Sequence, residues 1–325
     1  MITTLCLAGG EVATHQGFVT GDRLTDALWI DLLSPTPEEE QHVEHLLDVE
    51  LPTREEMRAL EESNRLHETG GALYLTANVV VNSDSEYPRS DQMTFVLTRS
   101  CLVTMRYTAP RALGLFAKRA MREPALASSG ETALLGLIDT LLERLALNIE
   151  RVGADLDELS HLVLSQEQQQ PRARLDYRAM LRRLEFNQVL LTRVRGSLSS
   201  LERLLTFIGR PSLAFEFDRG FESRAQVLLQ NTRALVDHTH FLAGNLAFEL
   251  SAILGMINIE QNTTIKIFSI AAVVFLPPTL VASIYGMNFQ WMPELGWRFG
   301  YPLALLAMGV SAVATYAYFK RRGWL

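Results

Sequence analysis

The chain has 325 residues, 48% of them hydrophobic, with 37 acidic against 30 basic side chains and a formal net charge of −7. Those totals allow one or two domains with real cores and would suit an ordinary soluble enzyme. The placement of the apolar residues excludes that enzyme: residues 267–293 and 299–319 contain no Asp, Glu, Lys or Arg, and each run meets the roughly 20 residues needed to cross about 30 Å of hydrocarbon.

No basic region precedes an apolar one at the N-terminus, so no secretory signal is expected and the bulk of the chain should stay in the cytoplasm. Cys6 and Cys101 are too few for a disulfide scaffold, and Cys101 sits in an apolar run where a reduced core thiol is expected. Strand signals occupy residues 4–7, 28–33, 72–81 and 93–106, the last two rich in Val, Thr and aromatic residues. Helices are expected over 37–49 and 54–62, the first with Ser34 or Thr36 ahead of Pro37 and a run of glutamates. Residues 1–130 therefore read as an α/β module.

Beyond Gly130 the signals are helical. Apolar residues at three-and-four spacing predict helices over 131–167 and 174–207, a long hairpin closing near 210, with a glutamine tract and Pro171 at its tip. Gly209-Arg210-Pro211 breaks the chain, and a third helix starts near Asp218 with no proline until Pro277. If it continues to Tyr285 it spans on the order of 100 Å, about three times the apolar thickness of a bilayer. Residues 211–264 are then a stalk, 265–287 a first membrane helix, 288–298 an external loop, 299–319 a second membrane helix and 320–325 a basic tail. Lys266 opens the first apolar run and Lys320, Arg321 and Arg322 close the second, which places both chain ends in the cytoplasm.

Steps of three and four along the long helix collect one face: Ser251, Gly255, Asn258, Asn262, Ile265, Ser269, Ala272, Leu276, Thr279, Ser283 and Gly286. Small and uncharged polar residues in a row permit tight helix packing with no pore. They equally permit a water-filled path, narrowed at Ile265 and Leu276 and gated there by dewetting. Two membrane helices cannot enclose such a path, so it requires a ring of subunits. Pro277-Pro278 frees carbonyls one turn back, which a kink or a contact with an ion would use.

The loop between the apolar runs, "IYGMNFQWMPELGW", carries only one charge, Glu294. Asn288 offers an amide oxygen, Gly286 permits close backbone approach, and magnesium is often met through its hydration shell. Zinc or nickel sites call for His, Cys or carboxylate ligands, and the seam has none. His42, His45, His238 and His240 read as surface or stalk residues. Tyr285, Trp291, Trp297 and Tyr301 sit where an interfacial belt belongs. Glu294 would form an acidic ring at the mouth of an oligomer, or simply a solvated charge or a bridge to Arg298.

Tyr285-Gly286-Met287-Asn288, then Met292-Pro293-Glu294-Leu295, a second membrane helix and the tail "YFKRRGWL" together resemble the CorA family of magnesium channels. The resemblance covers the last 65 or so residues closely and the layout of the whole chain. It implies an α+β membrane protein: a homopentameric funnel with an α/β/α cytoplasmic domain, a helical hairpin and the long helix as pore, in the cell (inner) membrane. It also implies Gly286, Met287 and Asn288 as the outer recognition ring for hydrated Mg2+, and the seam from Asn262 to Ser283 as the pore wall. In relatives, magnesium bound between cytoplasmic domains holds the closed state through carboxylates, which no motif places here.

The first 130 residues carry 19 acids against 11 bases, an excess that fits such feedback. No phosphate-cradling glycine loop occurs, so uptake would run on the membrane potential. Co2+ and Ni2+ would pass as well. Two other readings stand beside this one: a zinc transporter of the same superfamily, from which the Met-Pro-Glu-Leu loop departs, and a membrane-anchored scaffold with no ion flux. No nucleophile and base pair points to an enzyme.

Overall fold

The structure is a computed structural model, and it describes residues 1–8, 11–17, 27–59, 65–85, 87–165, 176–211, 213, 215–288 and 292–323. The chain divides into two compact units, Met1–Leu250 and Ser251–Leu325.

The first unit is built on seven strands: β1 (Ile2–Ala8), β2 (Glu11–Gln16), β3 (Ala27–Leu33), β4 (Leu66–Thr69), β5 (Ala72–Val81), β6 (Arg89–Leu97) and β7 (Leu102–Arg106). They form one mixed sheet in the order β2-β1-β3-β7-β6-β5-β4. Among the described residues only the β3–β7 pair is parallel, with Asp31 opposite Thr104.

The four expected strands become seven for local reasons. Residues 93–106 are two antiparallel strands, because Thr98 closes a turn: its Oγ1 accepts from the Cys101 amide at 3.1 Å and donates to the Cys101 carbonyl at 2.9 Å. Gly70 and Gly71, at φ +60° and +75°, form the tight connection that pairs β4 with β5. The unexpected strands β2 and β4 are the two edges of the sheet.

Helix α1 (Pro37–Leu47) starts at Thr36, whose hydroxyl accepts from the Glu39 amide while the Glu39 carboxylate receives the Thr36 amide. It ends two residues short of Val49, because Asp48 turns left-handed at φ 52°. Helix α2 spans Arg54–Ala59, and α3 (Arg111–Arg122) is a helix that the sequence pattern had not revealed. The hairpin is α4 (Gly130–Ser165) and α5 (Tyr177–Ile208), and α6 runs unbroken over Arg219–Tyr285. The glutamine tract and Pro171 lie outside the described residues.

Strand alternation sorts the sheet's two faces. Ile30, Leu32, Val103 and Met105 pack with Val43 of α1 and Met57 of α2. On the other face Trp29 meets Phe116 of α3 edge-on at 5.4 Å. Ser197 and Ser200 of α5 dock on Asn78 of β5, one donating to its carbonyl at 2.7 Å and the other accepting from its amide at 2.9 Å. The first unit is thus an α/β/α sandwich continued by helices. Within the hairpin, Asp155 of α4 receives Arg183 and Asn187 of α5, the latter at 2.6 Å.

Gly130 opens α4 where a Cβ would lie 2.7 Å from the Cys101 carbonyl carbon, a backbone approach that only glycine permits. The buried face around Trp29 also holds charge. Arg106 donates to both Asp31 carboxylate oxygens, at 2.9 and 2.6 Å, Thr104 donates to the same carboxylate, and Trp29 donates to Thr104.

Candidate functional site

The second unit contains two helices long and apolar enough to cross a membrane: the C-terminal part of α6 and α7 (Gly300–Arg321). At 3.6 residues per turn, Ile270, Val274, Pro277, Pro278, Val281 and Tyr285 share one stripe of α6, and all are buried or half-buried. Ile270 is only 6% exposed. On α7 the covered positions are Ala304, Ala307, Met308, Ser311, Ala312 and Thr315, again one stripe.

The seam lies about half a turn away around α6. Asn258, Asn262, Ile265, Ser269, Ala272, Leu276, Thr279 and Ser283 are all exposed, Ile265 by 62% and Leu276 by 65%. Exposure alone does not distinguish them, since Phe268 and Phe275 on other faces are as open. Chemistry does. Phenylalanine can face lipid, whereas a carboxamide in hydrocarbon must find water or another helix.

The seam's hydroxyls and amides differ in this respect. Thr279 donates to the Phe275 carbonyl at 2.7 Å, and Thr263, beside the seam, donates to the Ile259 carbonyl at 2.9 Å, so each satisfies its own hydrogen and keeps acceptor lone pairs. Asn258 and Asn262 carry two donors and an acceptor each and have no equivalent bond back to their own helix among the described residues. The carbonyls freed by Pro277 and Pro278 are those of Val273 and Val274, which lie off the seam. The prolines therefore give the seam no acceptor.

Gly286 follows the last helical residue and donates its amide to the Ala282 carbonyl at 2.9 Å, while Met287 donates to Ile284 at 3.3 Å. A Cβ on residue 286 would sit 3.1 Å from that Ala282 oxygen, so glycine lets the last turn close tightly. Met287 and Asn288 are exposed just beyond. A helix end carries roughly half a negative charge from its aligned peptide dipoles and leaves carbonyls without partners. This acceptor-rich end, which the residue spacing alone does not reveal, suits positive charge rather than negative. It was legible once the helix was known to stop at a glycine.

The remaining expected residues are placed as follows. Pro293–Gly296 forms a short 3-10 turn, and the Glu294 side chain and Trp291 lie outside what the structure describes. Trp297 and Tyr301 are 56% and 76% exposed, and with Gly300 and Ala304 they line a cavity of about 390 Å3 against Tyr285 and Gly286. Lys320 and Arg321 end α7, and Arg322 stacks over Tyr318 at 5.6 Å. Among the described residues no three His, Cys, Asp or Glu side chains form a metal-binding group. Cys6 and Cys101 are free and buried, and burial pushes the Cys101 thiol up, away from reactivity.

The family model described as "CorA-like Mg2+ transporter protein" matches residues 25–321. The magnesium transport protein CorA of Yersinia pseudotuberculosis is 35% identical over 308 residues, covering 94% of each chain. That of Escherichia coli K12 is 35% identical over 302 residues, covering 93% of each. Among solved structures, the complete CorA magnesium transporter of Methanocaldococcus jannaschii superposes with a TM-score of 0.77 at 17% identity, covering 100% of this chain and 99% of that one. Its likeness supports the fold. The chain belongs to the CorA-like Mg2+ transporter family, whose members are transporters and not enzymes.

Proposed function

We propose that this protein conducts magnesium into the cell through a path lined by the α6 seam, with Gly286, Met287 and Asn288 as its outer recognition ring. The observation that carries this reading is the uncharged polar seam, exposed along one face of α6 and ending at a helix terminus rich in acceptors. An ion that sheds its inner water reluctantly is best met by amide and carbonyl oxygens that replace only outer-shell contacts. The curated relatives, named as magnesium transport proteins, favour Mg2+ over the zinc reading.

Closing the path takes several copies of α6, and a homopentamer in the inner membrane with cytoplasmic termini is the assembly proposed. The membrane potential then supplies about 4.6 kcal/mol per 100 mV for a doubly charged ion. Co2+ and Ni2+ share the hydrated charge and would follow the same path. Intracellular magnesium, bound between neighbouring acidic domains, is proposed to favour the closed state. Sealed liposomes bearing the purified protein and an internal magnesium indicator test this. Influx in the parent should fall about tenfold or more in Asn288→Ala with the oligomer intact. Equal influx in both would remove Asn288 from the recognition ring, and no influx in either would favour the scaffold.

A further inference from the structure

The first unit contains a polar cavity of about 270 Å3 that the ion pathway does not use, set between the β5–β6 turn, the start of α3 and one face of α4. Ala109, Pro110, Arg111 and Ala112 bring the N-terminus of α3 to its wall. That terminus is uncapped: Pro110 offers no side-chain bond, and no acid occupies the first turn. The Leu113 amide turns back to the Pro110 carbonyl at 3.3 Å, which leaves the amides of Arg111 and Ala112 and the positive end of the helix dipole to meet an anion.

From α4 come Arg144 and Asn148, one turn apart on the same face. Asn148 is only 6% exposed, lines the cavity, and makes no hydrogen bond among the described residues. Its carboxamide atoms are not sealed into the core but stay open at the cavity wall, where they can serve an occupant. Arg144 is half-buried and has no ion pair among the described residues. Asp84, on the same wall, is already engaged by Arg111 and, at 3.2 Å, by Arg151 one further turn along α4. Arg111 and Arg144 line the cavity with Asp84 as the one carboxylate among its lining residues, which leaves a surplus of positive charge there.

We propose that this cavity binds a small phosphate-bearing molecule, with the phosphate set against the α3 N-terminus and Arg144, and Asn148 donating to it. Donors converge from three directions: a helix start, a guanidinium and a buried amide. A tetrahedral group with three terminal oxygens can accept from all three, whereas a planar carboxylate presents its acceptors in one plane. The volume suits inorganic phosphate or a small phosphomonoester and is too small for a dinucleotide.

Titration calorimetry on the full-length protein in detergent, free of magnesium and at fixed ionic strength, tests the site with inorganic phosphate and with glycerol 3-phosphate. Saturable binding at one site per chain is expected. Arg144→Gln should weaken it about tenfold, and Asn148→Asp, which turns a donor into a repelling carboxylate, should weaken it further. Tighter binding of the ester would identify a phosphorylated metabolite, and equal binding a site that reads the phosphate group alone. No saturable binding of either probe would overturn the proposal, as would affinities in the variants within about twofold of the parent. Arg144 is half-buried and can be replaced without opening the core, so the test stands even if Asn148→Asp folds poorly.

Discussion

Asp31 and Arg106 show what single residues contribute to this fold and why the sequence conceals it. They lie 75 positions apart on adjacent parallel strands, each at least nine-tenths buried, and bond through two parallel hydrogen bonds. Nothing in the spacing of either residue announces the other; both sit in runs that read simply as strand. Removing one partner leaves the other charge buried and uncompensated, which costs about 3–5 kcal/mol. Arg106→Met should therefore lower the chemical unfolding midpoint of the purified protein sharply, while Arg106→Met combined with Asp31→Leu recovers much of the loss. Equal destabilisation in the single and double variants would show that the pair matters only as packing. The helix start was legible by contrast, because Pro37 and the glutamates after it mark it; of the two candidates Ser34 and Thr36, Thr36 is the cap, with its partner Glu39 three positions on.

Among the elements, the long helices were read to within a few residues because their apolar period persists over many turns. The misses have local causes. Gly70-Gly71 between two alternating runs is a hairpin signal, but β4 is four residues long and half exposed, too short to stand out. The run at 93–106 conceals a turn because Thr98 and Cys101 suit a strand as well as the turn they form. Helix α3 lies between two prolines and buries only Ala112, Leu113, Phe116 and Ala120. Packing of α4 also sets a pH response. Burial, and then the charge of Glu143, raise the Asp139 carboxyl above its ordinary value of 3.8, with Arg224 and Arg119 opposing.

A folded state that binds this proton more readily is stabilised by it below pH 3.8, and the contribution is lost as pH rises through the raised value. Asp139→Asn should thus raise the melting temperature at pH 7 and make little difference near pH 3.5. A variant that melts lower than the parent at pH 7 would show that the arginines hold the carboxylate more strongly than burial opposes it.

At the scale of the whole molecule, the seam is a proposed path that one chain cannot enclose. Its residues converge on one face because their spacing matches the helix, and that face has no intrachain cover from Asn258 to Ser283. The acidic excess of the first 130 residues has a similar character. Among the described residues no group of His, Cys, Asp or Glu forms a metal site within one chain, and the proposed feedback by magnesium would draw carboxylates from neighbouring copies. Chelating magnesium should then raise the rate of limited proteolysis of the first unit, and adding it back should restore protection. Unchanged cleavage in both conditions would dismiss that feedback.

The central claim is that the seam of α6 faces water in the assembled protein, and cysteine accessibility measures this most directly. Cys6 and Cys101 are both buried, so the background is low. Thr279→Cys and Ser283→Cys, compared with Val273→Cys and Val274→Cys, would be treated in liposomes with a charged, membrane-impermeant thiol reagent while magnesium entry is followed. The account predicts labelling and block at residues 279 and 283, with neither at 273 and 274. Inert cysteines at both seam positions, in protein that still conducts, would contradict it.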